Sequence, residues 1–471
     1  DCKWYQFKIP IREPHRKVGL IDGYQSIKFI RLFLKDFEEP IILRFATFEL
    51  VSGEWRKYTD NLLTPGLYPS GTQSENTTFT VASVNIEENG KRTPIPYVLP
   101  PGIEREKIYA TTSMTDMNEQ SQSLKIGELA DGDARAIYKS MELDMRQYKH
   151  LRMFVHAEQL NEFDQYKKGD LSLFVRLGTD FTNNYYEYEL PLTFTPWYTG
   201  YNNEELIWPE SNNVDIDLEQ LVKVKENRNA KIRANDLTVS STIPYHEIID
   251  GKKMTVVGMP NIAGVKVLMI GVRNPKKQNI NDNDDMLPKS AEIWINELRL
   301  TDFNRSGGWA ATGFARTNLA DLGDVSLSAS HRSAGFASLE QSISEISQEA
   351  ITSLDFATNI EVGKFFPEDW GIRLPVHFDY SQSVSNPKYN PLDPDVKLEN
   401  DLLSYRTEKE RDSIRHMVQD YVSRTNFNLM NIRKDRLGDR ALERHFYDIE
   451  NWNGSYSYSS TFMRDVDIEY N

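Results

Sequence analysis

Hydrophobic and polar positions alternate with a period of two along most of the chain, the signature of strands. Ile27–Leu34 and Ile41–Leu50 read as strands joined by Lys35–Pro40, and the second has apolar residues on both faces, as in a strand covered on both sides. The arrangement recurs about 240 residues later. Gly264–Arg273 and Ala291–Leu300 are strands around the polar stretch Asn274–Lys289. Between the copies, 61–105 is rich in Pro, Gly, Asn and Thr and reads as a linker or surface segment. Lys139–Asp144, Leu151–Ala157, Leu171–Leu177 and Tyr185–Leu192 are further strands, and Asp217–Lys225 is a short helix with Asp217 as its N-cap.

After Asp302 the alternation becomes stricter. Val325, Leu327 and Ala329 interleave with serines. Leu354, Phe356, Thr358, Ile360 and Val362 interleave with Asp355, Ala357, Asn359 and Glu361. Ile372, Leu374, Val376, Phe378 and Tyr380 interleave with Arg373, Pro375, His377 and Asp379, and Trp452–Phe462 repeats the pattern. Runs of about 9–11 residues are long enough for a tilted strand to cross a bilayer. A large soluble antiparallel sheet with one wet face has the same period, so alternation alone leaves both readings open. A polar excursion, 384–425, interrupts these strands. It carries three X-Pro turns and an amphipathic helix over Leu403–Val422, with Ile414, Met417, Val418 and Tyr421 on one side. An excursion of that length between strands points to function or to contact with a partner.

The expected fold is therefore mostly β. EIWINELRL (292–300) resembles the closing strand of jelly-roll β-sandwiches, which implies the end of a preceding jelly-roll-like domain over 1–60 and a complete jelly-roll-like sandwich over 106–302, with antiparallel strands over 303–471. The 471 residues have room for two or three domains. The first residue is Asp1 and the last residues follow a strongly alternating segment, so the chain reads as an internal piece of a larger protein. No apolar run is long enough for a membrane-spanning helix, which leaves a β-barrel open.

Charge and motifs narrow the chemistry. A net charge of −15 argues against a general nucleic-acid binder. The single cysteine, Cys2, leaves no disulfide framework and no Cys-based metal site. No metal-ligand spacing, phosphate loop or nucleophile elbow occurs, so neither a cofactor nor a catalytic residue is expected. Asn281–Asp285 is oxygen-rich, but Met286 and Leu287 stand where a calcium loop needs Gly and a later Glu; a solvated loop tip is the better reading. Trp197, Tyr198 and Trp208 are candidates for a sugar-stacking platform, although aromatics in domain contacts are commoner.

Longer stretches carry a resemblance. They are GYQSIKFIRLFLKDFEEPIILRFATFELVSGEWRKY (23–58), LDMRQYKHLRMFVHAE (143–158), GVKVLMIGVRNP (264–275), AEIWINELRLTDFNRSGGWAATGFARTNLADLG (291–323), YNPLDPDV (389–396) and TNFNLMNIRK (425–434). Together they resemble the SprA/Sov cell-surface proteins of the Bacteroidetes type IX secretion system, linked to gliding motility. The resemblance implies an outer-membrane β-barrel that conducts folded cargo bearing a C-terminal secretion domain, with jelly-roll-like insertions capping the extracellular side. Its implied partners are a PorV-type cargo-shuttle barrel, a periplasmic plug protein and outer-membrane lipid. Leu354, Phe356, Ile360, Val362, Ile372, Leu374, Val376 and Phe378 would then face lipid. Asp355, Asn359, Glu361, Arg373, His377 and Asp379 would face a wet lumen. The alternative is a soluble or surface-attached glycan-binding, adhesive β-sandwich protein.

Overall fold

The computed structural model describes residues 55–62, 76–105, 115–200, 203–276, 285–304, 306–341, 345–437 and 445–470, with a few residues outside these ranges. Asp1–Gly53 and Glu54–Asn471 separate as two units. In the first unit, the expected strands of 27–50 lie largely outside the described residues. Those that are described, Ile30–Phe33 and Ile42–Phe45 among them, lie in no strand.

The second unit begins with a β-sandwich. Its strands are β1 (Arg56–Lys57), β2 (Thr78–Asn85), β3 (Gln120–Leu129), β4 (Ala134–Leu143), β5 (Tyr148–Gln159) and β6 (Ser172–Gly178). They continue as β7 (Tyr185–Pro191), β8 (Val214–Asp217), β9 (Tyr245–Ile249), β10 (Lys252–Val257), β11 (Val265–Arg273) and β12 (Lys289–Phe303). One sheet runs β1-β4-β11-β6-β7-β10-β9 and the other β8-β5-β12-β3-β2. The successive strands β3 to β8, β11 and β12 thus interleave as β3-β12-β5-β8 and β4-β11-β6-β7, the jelly-roll order. Alternate residues of both sheets, such as Leu124, Ile126, Val155 and Ile293 against Val175, Tyr188, Leu268 and Ile270, meet in one buried cluster. Burial of these side chains is the main stabilising term of the unit.

Helix α1 (Leu218–Arg233) lies between β8 and the β9–β10 hairpin. Asp217 caps it, accepting from the backbone N–H groups of Glu219 (2.9 Å) and Gln220 (3.2 Å). The helix is longer than the short one expected from Asp217–Lys225, because Leu221, Val222 and Val224 pack into the sandwich core and tertiary burial extends it.

The segment 61–105 is not a linker over 78–98. β2 pairs with β3 from Thr78↔Gly127 to Asn85↔Gln120. Ile95, Tyr97 and Val98 are buried with Trp208 and Trp294 on the outer side of that sheet. Proline-rich sequence here marks a chain folded flat against a sheet, held by aromatic packing.

From β12 the chain passes directly into a third sheet. Its strands are β13 (Ala310–Leu319), β14 (Gly323–Arg332), β15 (Glu349–Glu361), β16 (Pro375–Pro387), β17 (Asp420–Lys434), β18 (Asn453–Arg464) and β19 (Glu469–Tyr470). They pair antiparallel in chain order, and the short strand Ile372–Arg373 pairs beside β17. The sheet is an open meander; it does not close on itself within the described residues. The helix expected over Leu403–Val422 is instead α2 (Leu398–Leu403) and α3 (Glu408–Val418). Thr407 starts α3 with a capping box, and Tyr421 already belongs to β17, opposite Arg464.

Candidate membrane-facing sheet and its strap

Antiparallel registers place directly opposed residues on one face, so a face can be read across strands as rows. Three central rows are Leu319–Gly323–Ile360–Val376–Leu429–Tyr456, Thr317–Val325–Thr358–Phe378–Phe427–Tyr458 and Ala315–Leu327–Phe356–Tyr380–Thr425–Ser460. Together they make one apolar and aromatic face across β13 to β18. Gly323 interrupts the first row because a Cβ there would lie 1.9 Å from the Asn359 carbonyl oxygen.

No hydrophobic cluster among the described residues covers this face, whose central Thr358 is buried while residues around it are half-buried or exposed. The hydrophobic clusters are built from the sandwich and from the excursion after β16, and none contains a residue of β13 to β18. Leu354 is 40 % exposed and Tyr458 51 %, while Leu124 and Ile293 in the sandwich are fully buried. An uncovered apolar face of this breadth marks a lipid or protein contact.

The opposite face is polar. Its rows are Asn318–Asp324–Asn359–His377–Asn428–Ser457, Arg316–Ser326–Ala357–Asp379–Asn426–Ser459 and Phe314–Ser328–Asp355–Ser381–Arg424–Thr461. Asn359 donates to Asp324 (3.1 Å), and His377 contacts Asn359 (2.7 Å) and Asp379 (3.0 Å). Asn426 donates to Asp379 (2.7 Å), and Ser459 donates to Asn426 (2.6 Å). The result is a hydrogen-bonded ladder running from β14 to β18.

The structure thus brings Leu354, Phe356, Ile360, Val376 and Phe378 onto one face and Asp355, Asn359, His377 and Asp379 onto the other. The other five expected residues do not extend these faces. Val362 leaves the strand and opens a 3₁₀ turn, Val362–Phe365. Leu374 falls between strands, and its N–H is received by Glu361 at 2.6 Å, so that carboxylate closes a turn. Ile372 and Arg373 sit in the short strand beside β17, and Arg373 pairs with Asp435 (2.8 Å). β13 and much of β17 escaped the sequence reading because Ala, Gly, Thr and Ser occupy many of their apolar-face positions. Phe314 is the large apolar residue on the polar rows, exposed on the edge strand β13.

The excursion after β16 forms a strap that reaches the sandwich. Tyr389–Asn390 and Asp393–Lys397 pair with each other, and α2 follows. The fully buried Lys225 of α1 contacts Asp393, Asp395 (2.8 Å) and the Pro260 carbonyl (2.7 Å). Tyr186 of β7 donates to Asp395 (2.6 Å), and Asn229 donates to Asp393 (3.3 Å). Burial, reinforced by Asp395, pushes the Asp393 carboxyl up to about 6 even though Lys225 opposes the shift. Burial and then Asp395 push the Tyr186 hydroxyl well above its usual range, and burial lowers the neighbouring Arg228. Around this centre lie Lys397–Glu219 (2.7 Å), Arg233–Asp401 (2.6 Å), and Arg146 on the Pro394 carbonyl (3.1 Å). Sequence reasoning singled out the excursion but not its target. The available signal was Lys225 and Arg228, two cations on the apolar side of an otherwise amphipathic helix.

Trp208 does not join Trp197 and Tyr198 in a shared aromatic surface. Trp208 is buried, its Nε1 donating to the Val98 carbonyl (2.9 Å), and it packs against Trp294. Trp197 and Tyr198 meet edge-on at 6.2 Å. Asn281–Asp284 lie outside the described residues, while Asp285 pairs with Lys289. No cluster of metal-ligating side chains occurs among the described residues.

Residues 1–402 match a protein-family model described as motility related/secretion protein, a span that includes the sandwich, β13 to β16 and most of the strap. No curated protein matches the chain.

Proposed function

Because the chain belongs to the SprA_N family of motility-related and secretion proteins, whose work lies in the cell envelope or at its surface, we propose that β13 to β18 are part of the wall of an outer-membrane protein-conducting barrel. In this reading the apolar rows face lipid and the polar ladder faces an aqueous lumen. The sandwich stands at one end of the wall as a cap. The observation that carries the reading is the apolar face of six consecutive strands, covered by no hydrophobic cluster among the described residues. Opposed apolar and polar faces on long antiparallel strands are what a barrel wall requires.

The proposed role is that of a conduit, not of a catalyst, in type IX secretion and gliding. Its cargo is folded protein with a C-terminal secretion domain, and its partners are a PorV-type shuttle barrel and a periplasmic plug. The sequence holds no nucleotide-binding loop, so the energy for transport enters elsewhere in the system.

Alkaline carbonate washing of envelopes tests the assignment. The intact protein is expected to stay in the membrane pellet. Release into the wash, together with binding on a glycan array, would sink the barrel reading in favour of an adhesive surface protein.

A further inference from the structure

Two connections join the sandwich to the sheet. One is the covalent link 304–309, which contains the adjacent glycines Gly307 and Gly308. The other is the strap, which leaves β16 at the same end of the sheet, in the row Ala311–His331–Thr352–Val384 and beyond, and seats Asp393, Asp395 and Val396 on α1 and the sandwich core. The link is tied at both ends, the Asn304 N–H donating to the Gln147 carbonyl (2.7 Å) and the Gly308 N–H to the Gly335 carbonyl (3.2 Å), which leaves Gly307, with open space around it, as the pivot. We propose that the sandwich is a hinged lid over one end of the sheet, and that residues 389–404 are a releasable strap locked on Lys225.

Three features favour release as a unit. First, undocking breaks no strand pairing, because β16 and β17 stay in register up to Ser385↔Asp420 whether or not the strap is seated. Second, the strap holds its own shape. Leu398 N–H donates to the Lys388 carbonyl (3.0 Å), Asn390 donates to Asp401 (2.8 Å), and Leu398, Leu402 and Val418 pack together. Third, its contact with the sandwich is charged. Lys225, Arg233 and Arg146 meet Asp393, Asp395, Asp401 and a backbone carbonyl, and Val396 is the strap residue that joins the apolar core. Ionic partners regain hydration on separation, whereas a broad apolar interface would not. Lys225 is the positioning residue, since both buried carboxylates converge on its one ammonium.

The test uses the full-length protein in its own membrane, with cysteines replacing Glu219 and Lys397, an exposed pair at the strap's rim. A cleavable bis-maleimide is expected to join them. Adding Lys225→Met should abolish the cross-link and open 389–404 to protease, while the milder Asp395→Asn, which keeps an acceptor but removes the charge beside Lys225 and Tyr186, should weaken the cross-link without unfolding the sandwich. An undiminished cross-link in both variants overturns the latch. The lid motion rests on the conduit reading and has its own readout. Cross-linked cells should stop releasing cargo and recover when the linker is cleaved; secretion that continues at full cross-linking would show a fixed cap and overturn release. Failure of the conduit reading itself appears separately, as extraction by carbonate with the cross-link chemistry intact.

Discussion

Phe356 sits between Leu327 and Tyr380 in its row, with the Phe378 ring 6.1 Å away, on a face that no hydrophobic cluster among the described residues covers. If that face meets hydrocarbon, Phe356→Arg should lower barrel stability by roughly 2–4 kcal/mol near the bilayer midplane. Ser381→Arg, on the polar face one strand away, should change it little. Urea titration of the folded barrel, read by its heat-modifiable mobility on a gel, checks both, and equal tolerance of the two arginines would refute the face assignment. Which side chains share a face was legible in the sequence, because a period of two survives any error in strand boundaries. Where the faces end was not. Val362 looks like the next apolar position after Ile360, yet Glu361 caps the Leu374 N–H and turns the chain there. Trp208 reads as a surface aromatic, but its partners Val98 and Trp294 are distant in sequence and no local pattern announces them.

At the scale of elements, β6, β7 and β11 carry a buried charge cluster on the side away from the sandwich core. Arg176 donates to Glu187 at 2.6 and 3.0 Å, and Arg273 donates to Glu187 (2.9 Å) and Glu189 (2.7 Å). Burial alone would raise the Glu187 carboxyl, but Arg273 and Arg176 outweigh it and hold the group at about 2. A depressed carboxylate contributes stability that is present above its ordinary value of 4.5 and lost as pH falls through about 2. Glu187→Gln leaves two guanidiniums underpaired in the interior. It should cost about 3–5 kcal/mol, seen as a lowered midpoint in thermal unfolding at neutral pH.

The strap carries the opposite sign. Asp393 is raised in the docked state, where it faces Lys225, Arg228 and Asn229 of α1, Tyr186 of β7 and Asp395 of the strap itself. Its contribution to docking is therefore greatest below its ordinary value of 3.8 and lost as pH rises through about 6. Protection of 389–404 from protease should increase between pH 7.5 and pH 5, and Asp393→Asn should flatten that dependence. A strap that loosens on acidification would contradict this arrangement of charges. The excursion was visible in the sequence as a polar interruption. Its seat was not, because a Lys on a helix and two Asp flanking a Pro become one site only in the tertiary fold.

Across the whole molecule, two ways of satisfying strands stand side by side. In the sandwich, two sheets bury each other's apolar faces, and the jelly-roll order follows from strands crossing repeatedly between them. Among the described residues the third sheet has no second layer against its apolar rows, which run across six strands. That contrast within one chain is the physical basis for the proposal that the sheet meets a bilayer. The class of both regions was legible from periodicity; the choice between lipid and water for the open face was not, because a soluble sheet alternates identically.

A single-cysteine scan along residues 353–360 in intact envelopes, using a membrane-impermeant maleimide, tests the choice most directly. The wall reading predicts labelling with a period of two: positions 353, 355, 357 and 359 react from the aqueous side, while 354, 356, 358 and 360 are protected until detergent is added. Uniform labelling of all eight positions before detergent would contradict it.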